Sequence, residues 1–448
     1  MEKYDIVILG GGNAGMGVTV ATRTAGLSVA MIEARDLGGT CPNRGCTPKK
    51  VLVAAAHALD EIGRAGNHAI EIEPPRLDWR ALIEREEDII ADIPSRLSGL
   101  MAKRGVDVIH GEAAFMASNA VRVGAREIEA RNIVIATGSK PRPLSIPGSE
   151  FLTTSDDVLS DPVLPRAVVF IGGGVIAFEL GHVYARAGVE VTILEALPQL
   201  LRGFDEDAVS QIRAESERLG LRIHTKAWVK KIEKTDGRLR VSFAKDGAEC
   251  SVNADRAVNC AGRVANVEGL DLGAGVIVHR EGRIEIDEHL RSRSNPDIYV
   301  CGDAVWSSPQ LSPVATYEGG IVGRNIVDGP RHRPDYGHIP AALYSIPAVA
   351  AVGLTEAEAR ERGFIVKVHL NDMQGWLSAR TYAEPIAWSK IIVEETTGRI
   401  LGAHLVGHAG EELIHTFALA MKHGITAPEL SEMVCAFPTF TADIRNMM

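Results

Sequence analysis

Cys41 and Cys46 stand with Pro42, Asn43, Arg44 and Gly45 between them. That spacing is wider than a redox Cys-x-x-Cys and no second pair follows that would complete a zinc site, so no metal centre is expected. An apolar-periodic stretch from 51 to about 62 reads as a helix directly after the loop 38–50. Thiols at the start of that helix feel the positive end of its dipole, and Arg44, Lys49 and Lys50 add positive charge that favours thiolate over thiol. Two such sulfurs can close a ring and exchange two electrons. A structural disulfide is the alternative, although in a reducing compartment that bond stays open unless it is cycled. Cys250, Cys260, Cys301 and Cys435 read as small core or loop residues.

A second kind of chemistry is carried by glycine. Gly10-x-Gly12-x-x-Gly15 joins a strand over 4–10 to a helix over 15–25, and a second strand over 27–33 ends on Glu33. Glycines at those three points permit a tight turn, close backbone approach to a pyrophosphate and tight helix–strand contact, while the helix N-terminus faces the anion. Glu33 lies about 20 residues on, where a carboxylate can accept hydrogen bonds from a ribose diol. The order strand, triplet, helix, strand, acid identifies a dinucleotide-binding unit where a lone triplet would not. The device recurs as Gly172-x-Gly174-x-x-Ala177, with a strand over 167–172, a helix through Arg186 and a strand over 189–195 ending on Glu195. Two dinucleotides are therefore implied. Ala177 in place of the third glycine is often tolerated by phosphorylated cofactors, whereas Glu195 repels a 2′-phosphate and suits a free ribose. The charge carries more weight, with only Arg202 nearby as a base, so NADH is expected over NADPH.

The elements that hold these residues fit the whole chain. At roughly 150 residues per domain, 448 residues make about three domains. Lys+Arg 48 against Asp+Glu 58 gives a net charge of −10, which repels phosphate backbones and anionic membrane surfaces, so no nucleic acid and no membrane partner is expected. Nor does any uninterrupted apolar run approach the ~18 residues of a membrane span. Gly 45 with 5% aromatics and no Gly-X-Y period describes a glycine-punctuated α/β enzyme. The apolar run Ile6 to Leu9 follows the N-terminus too closely for a signal peptide, and a cytoplasmic location is expected. Clusters of Pro and Gly with a change of pattern place boundaries near 145, 265 and 334.

Several longer motifs occur in order: GGTCPNRGCTPKK (38–50), IVIATGSKP (133–141), NCAGRVAN (259–266), DIYVCGDA (297–304), LSPVA (311–315) and SIPAVAAVGLTEAEA (345–359). With them the sequence resembles, over nearly its whole length, the pyridine nucleotide-disulfide oxidoreductases, the family of glutathione reductase, dihydrolipoamide dehydrogenase and mercuric reductase. The resemblance implies two Rossmann-like domains and an α+β C-terminal domain. FAD is assigned to 1–145 and 266–333, NAD(P) to 146–265 and dimerisation, as a homodimer, to 334–448. It also implies that Cys46 faces the flavin and forms the charge-transfer complex while Cys41 attacks the acceptor. Lys50 would lie near flavin N5, paired with Glu179. Besides Gly10, Gly12, Gly15, Glu33 and Lys50, the FAD contacts carried over are Thr40, Ala113, Thr137, Gly138, Asp303 and Val314. A helix opening near Pro313 would aim its dipole at the flavin O2 side. Asp303 has the alternative of a helix cap. On the nicotinamide side stand Gly172, Gly174, Ala177, Glu179, Glu195 and Gly262. Val175 occupies the place where relatives often carry a tyrosine gate.

The C-terminus departs from the family. Thiol-substrate members carry His-Pro-Thr followed by a glutamate that orients the histidine, but this chain reads Phe437-Pro438-Thr439-Phe440-Thr441-Ala442. Phenylalanine cannot protonate a departing thiolate. His415 could act as a substitute, against the ordinary role of a helix-face histidine. Mercuric reductases also lack the histidine, but the tyrosine and terminal cysteine pair that they carry instead are missing here. The expected function is transfer of electrons from NADH through FAD to Cys41 and Cys46. From there they pass to a small-molecule or small-protein acceptor, a disulfide, a persulfide or a protein-bound thiol. The alternatives are a reductase of quinones, metal ions or dioxygen, and a flavin redox sensor.

Overall fold

Ile6 to Leu9 are apolar on both faces of their strand and at most 1% exposed, the pattern of a parallel strand covered on both sides. In the computed structural model, which describes the whole chain from Met1 to Met448, that strand is the centre of the first of two compact units. The first comprises Met1–Lys49, Glu84–Pro143 and Gly262–Asp335, and the second Lys50–Ile83, Leu144–Ala261 and Tyr336–Met448. Four helices carry most of the residues of interest: α1 (Asn13–Thr24), α2 (Cys46–Gly63), α3 (Val175–Arg186) and α4 (Ser312–Asp328).

The first unit is built on a sheet of β1 (Glu2–Leu9), β2 (Val29–Glu33), β3 (Val106–His110), β4 (Ala113–Ala117), β5 (Ala120–Val123) and β6 (Arg126–Ile135), in the order β3-β2-β1-β6-β5-β4. A short strand, Ile298–Val300, pairs in parallel with the end of β6. β1 runs parallel to both neighbours, with Ile6 opposite Val29 on one side and Asn132 on the other. α1 and α4 lie in close contact, and a Cβ at Gly319 would sit 2.1 Å from the carbonyl oxygen of Ala14, so only glycine fits. α1 starts two residues before the expected 15, because extended Gly12 serves as its N-cap.

The second unit combines three sheets. A parallel sheet runs in the order Arg222–His224, Glu190–Leu194, Ala167–Ile171, Arg256–Asn259. A three-stranded antiparallel meander, Trp228–Thr235, Arg238–Lys245 and Ala248–Ala254, follows. The C-terminal segment forms a five-stranded antiparallel sheet in the order Ala341–Leu343, Val349–Gly353, Ile400–Gly407, Ala387–Glu394, Val366–Asp372. Helix α5 (Gly410–His423) contributes Leu413, Ile414 and Phe417 to the same core. Within this unit the buried ammonium of Lys390 is offset by Asp205, Asp207 and Glu356, at 3.1, 2.7 and 3.0 Å. No helix of the chain is long and apolar enough to cross a membrane.

Candidate active site

The first glycine turn follows from the termination of β1. Gly10 has φ +113°, and a Cβ there would collide with the carbonyl oxygen of Ala136 at 2.3 Å. Its amide donates to Ile32 O at 2.8 Å, the next amide, of Gly11, donates to Glu33 Oε2 at 2.7 Å, and Glu33 Oε1 accepts from Arg35 N at 2.8 Å. The second turn repeats the geometry. Gly172 also has φ +113°, its amide donates to Leu194 O at 2.8 Å, and Gly173 N donates to Glu195 Oε2 at 2.6 Å. Gly12 and Gly174 are both extended residues capping the helix that follows. The turns differ at one point. A Cβ on Gly15 would meet Gly10 O at 2.0 Å, whereas the second turn has room for the fully buried methyl of Ala177.

Of the remaining residues expected to border FAD, all but Lys50 lie in the first unit. Thr137 Oγ1 is buried without a hydrogen-bond partner, and Gly138 beside it has φ +70° with open space where a Cβ would stand. Asp303 caps no helix. It lies inside the 3-10 turn Gly302–Ala304, where its Oδ2 accepts from Ser139 Oγ at 2.9 Å, and Ser139 Oγ in turn accepts from Arg263 Nε at 2.8 Å. Burial raises the Asp303 carboxyl above the ordinary range, against the lowering effects of Ser139 and Arg263. Val314 is buried in the first turn of α4, and half-buried Ala113 opens β4. Gly262 also lies in this unit, where its carbonyl accepts from Arg142 N at 2.9 Å. An unsatisfied hydroxyl, glycine turns without side chains and a carboxylate at a strand end fit a flavin dinucleotide.

The expected helix over 51–62 starts earlier than its apolar pattern, at Cys46. Pro48 in its first turn needs no hydrogen-bond acceptor and so starts the helix rather than delaying it. Thr40 and Cys41 open a separate short helix, Thr40–Arg44, which Gly45 ends with φ −146° and ψ −108°. Both sulfurs are free thiols, with Cys41 half-buried and Cys46 exposed. The hydrogen bond from Cys46 pulls the Cys41 thiol down to about 6, against burial and with help from Ser312 and Asn13. Asn13 and Ser312 bond each other and are the first residues of α1 and α4, so two positive helix ends meet at Cys41. Arg44, expected to supply charge to the thiols, pairs with Asp36 at 3.2 Å. One proton between two sulfurs makes the reduced pair a thiol–thiolate couple.

Lys50 and Glu179 belong to the second unit, where both reach Tyr344. The Lys50 ammonium lies 3.7 Å from the centroid of the Tyr344 ring, and Glu179 Oε1 accepts the Tyr344 amide at 2.9 Å. Val175 is 40% exposed at the start of α3, an aliphatic residue where a tyrosine gate would stand.

At the C-terminus Phe437 is 75% exposed and Ala442 buried, and a cavity of about 250 Å³ is lined by Cys435, Phe437, Ala442 and Arg445. His415 is exposed on α5. The histidine that does lie beside this segment is His408, which sequence reasoning missed because it stands in a turn with no periodic pattern. It is 1% exposed, its Nε2 is 2.9 Å from Asp443 Oδ2, and Phe440 meets its ring edge-on at 4.6 Å. Burial lowers its pKa, opposed by Asp443.

Residues 4–319 match the family described as pyridine nucleotide-disulphide oxidoreductase, and residues 339–448 match the dimerisation domain of the same description. Over 98% of its length the chain is 33% identical to a dihydrolipoyl dehydrogenase of Chlamydia trachomatis, of which it covers 94%. It is 30% identical over 99% of its length to a mercuric reductase of Staphylococcus aureus, of which it covers 81%. Among solved structures, the copper(II) complex of the HOCl-induced flavoprotein disulfide reductase RclA from Escherichia coli superposes with a TM-score of 0.89 at 27% identity, covering 100% of this chain and 99% of that one.

Proposed function

Because the chain belongs to the pyridine nucleotide-disulphide oxidoreductase family, we propose that it passes electrons from NADH to a Cys41–Cys46 disulfide and on to a disulfide or persulfide whose leaving sulfur requires no proton from the protein. The family uses FAD and a pyridine nucleotide, and FAD when bound supplies the two-electron relay between nicotinamide and disulfide. The chain's own residues do the rest. Glu33 and Glu195 fix the two glycine turns and leave lone pairs for ribose hydroxyls. The incoming hydride carries two electrons and one proton, so NADH and the disulfide become NAD⁺, one thiol and one thiolate. The hydrogen bond from Cys46, helped by Ser312 and Asn13, then holds the negative charge at Cys41. Attack of that thiolate on the acceptor forms a mixed disulfide and expels a thiolate. The second cysteine displaces the other half of the acceptor and restores the Cys41–Cys46 bond.

The observation that carries the choice of acceptor is Phe437, exposed where related thiol enzymes place an acid, with Ala442 in the place of the residue that would orient it. A thiol that is already acidic leaves without a proton. The working form is a cytoplasmic homodimer: the chain carries a dimerisation domain, and Val434, Phe437 and Leu419 in that domain are 97, 75 and 58% exposed. The test is steady-state oxidation of NADH with oxidised glutathione, lipoamide, an aromatic disulfide, a quinone and copper(II) side by side. Fast turnover confined to the aromatic disulfide is the expected result, and ordinary reductase rates with glutathione disulfide would overturn it. The copper(II) complex of RclA favours one second reading, reduction of a metal ion by the dithiol, which the copper arm addresses.

A further inference from the structure

We propose that Tyr344 is a positioning residue for the entry of the hydride: its ring holds the Lys50 ammonium and its backbone amide holds Glu179. The inference rests on the reading that Lys50 and Glu179 border the flavin. No part of the sequence pattern singled out Tyr344.

Its backbone is fixed with unusual thoroughness by α3. Glu179, His182 and Arg186 follow each other at helical spacing on one face of that helix, and all three bond the segment 344–346. Glu179 Oε1 accepts from Tyr344 N at 2.9 Å, His182 Nδ1 accepts from Ile346 N at 3.2 Å, and Arg186 Nη2 donates to Ile346 O at 2.9 Å. Burial, followed by the charge of Arg186, pushes His182 down to about 3, so it is a neutral ring. With Nδ1 accepting, Nε2–H donates to Ser216 Oγ at 2.8 Å, and that hydroxyl donates to Ile212 O at 2.7 Å. α2 closes the arrangement. Asp60 pairs with Arg186 at 2.7 Å and with Arg64 at 2.9 Å, while Lys50, on the same helix, reaches the Tyr344 ring.

Glu179 and His182 are 4% and 0% exposed, so the contacts that anchor Tyr344 are shielded from water and hold their geometry. Lys50 is the opposite kind of residue, exposed at the end of a flexible four-carbon stem. At 3.7 Å from the centroid the ring face helps to fix where this ammonium rests. A positive charge held there favours the negative charge that arrives with the hydride, without the cost of reorienting the side chain during transfer.

The test uses the FAD-loaded enzyme carrying Tyr344→Phe, Tyr344→Leu or Lys50→Met, with FAD content and unfolding midpoint measured for each. Three quantities are read: the stopped-flow rate constant for reduction by NADH, the two-electron midpoint potential, and the NMR shift of the Lys50 ε-methylene in wild-type protein freed of FAD. Tyr344→Phe, which keeps the ring face, should stay within about twofold of wild type in rate. Tyr344→Leu should slow reduction by about 3- to 10-fold, the range a half-desolvated cation–π contact supplies, and move the potential negative. The wild-type Lys50 resonance should show an upfield ring-current shift, a measurement that needs no variant to fold. An unshifted Lys50 resonance overturns the proposal, as does Tyr344→Leu at the wild-type rate and potential while Lys50→Met is impaired. Equal losses in the Phe and Leu variants also overturn it, since the hydroxyl would then be the active part. Wild-type rate and potential in Lys50→Met would instead sink the reading of Lys50 beneath it.

Discussion

Glu195 holds the amide of Gly173 through Oε2 at 2.6 Å, and its other oxygen holds Leu197 N at 2.8 Å, so the carboxylate is pinned at the mouth of the second glycine turn. Glu33 holds Gly11 in the same way at the first turn. A carboxylate fixed by two backbone donors cannot swing aside for a phosphate. We therefore expect kcat/KM to favour NADH over NADPH by about 10-fold or more, a discrimination of at least ~1.4 kcal/mol. Glu195→Ala should narrow the ratio, chiefly by loss of NADH affinity. Equal use of both nucleotides by the unaltered enzyme would show that Ala177 governs the choice instead.

The reduced thiol pair sets a second expectation. Since Cys41 titrates near 6 against an ordinary 9.0, its thiolate persists through neutral pH and is lost as pH falls through 6. Alkylation of the reduced enzyme by iodoacetamide should follow that titration, slowing about tenfold per pH unit below it. Cys46→Ser exchanges the thiol donor for a hydroxyl, and Cys46→Ala removes it and should shift the profile upward. Peptide mapping of the first alkylated sulfur, together with the long-wavelength charge-transfer band in Cys41→Ser and Cys46→Ser, identifies which sulfur carries the charge once FAD is bound.

Restoring the missing acid is a third test. Phe437→His with Ala442→Glu should raise turnover of lipoamide or oxidised glutathione by about 10- to 100-fold, below the 10²- to 10⁴-fold of a fully positioned acid. Turnover of an aromatic disulfide should change little. A double variant with no gain on either physiological disulfide would show that proton delivery does not limit this enzyme.

Glu86 offers a stability test away from the chemistry. The residue is 0% exposed and neither carboxyl oxygen has a partner; burial, then the charge of Glu87, pushes its pKa up from 4.5 to about 7. The folded chain thus keeps a proton that the unfolded chain releases, and the associated stability is complete below 4.5 and lost as pH rises through 7. Glu86→Leu should raise the urea unfolding free energy by about 1–2 kcal/mol at pH 8, with the gain closing towards pH 4.5. A variant that is less stable at pH 8 would refute this.

Both glycine turns and their strand-end acids were legible in the sequence, because a turn that needs φ +113° and a close backbone crossing admits little but glycine. The thiol loop was legible too, though not the boundary at Cys46, since Pro48 hides a helix start from an apolar pattern. Arg44 stands next to the thiols in sequence yet bonds Asp36, while Asn13 and Ser312 reach Cys41 from the starts of α1 and α4, outside the thiol loop. Tyr344 and His408 left no trace, as one is a turn-adjacent tyrosine and the other a histidine whose partner, Asp443, lies beyond a whole helix.

The clamp of α3 on residues 344–346 bears on how the protein is made. Glu179 and His182 find their partners 165 and 164 positions later. A nascent chain that has completed the second glycine fold therefore emerges from the ribosome with Glu179 and His182 still lacking their bonds to residues 344–346. They stay so until more than a hundred further residues have been translated, at about 5–20 residues per second. During that interval α3 presents to solvent the face that later closes over Tyr344 and Ile346. Long-range pairing of this kind makes folding slow. A ribosome stalled before Tyr344 would hold the second unit open to misassembly.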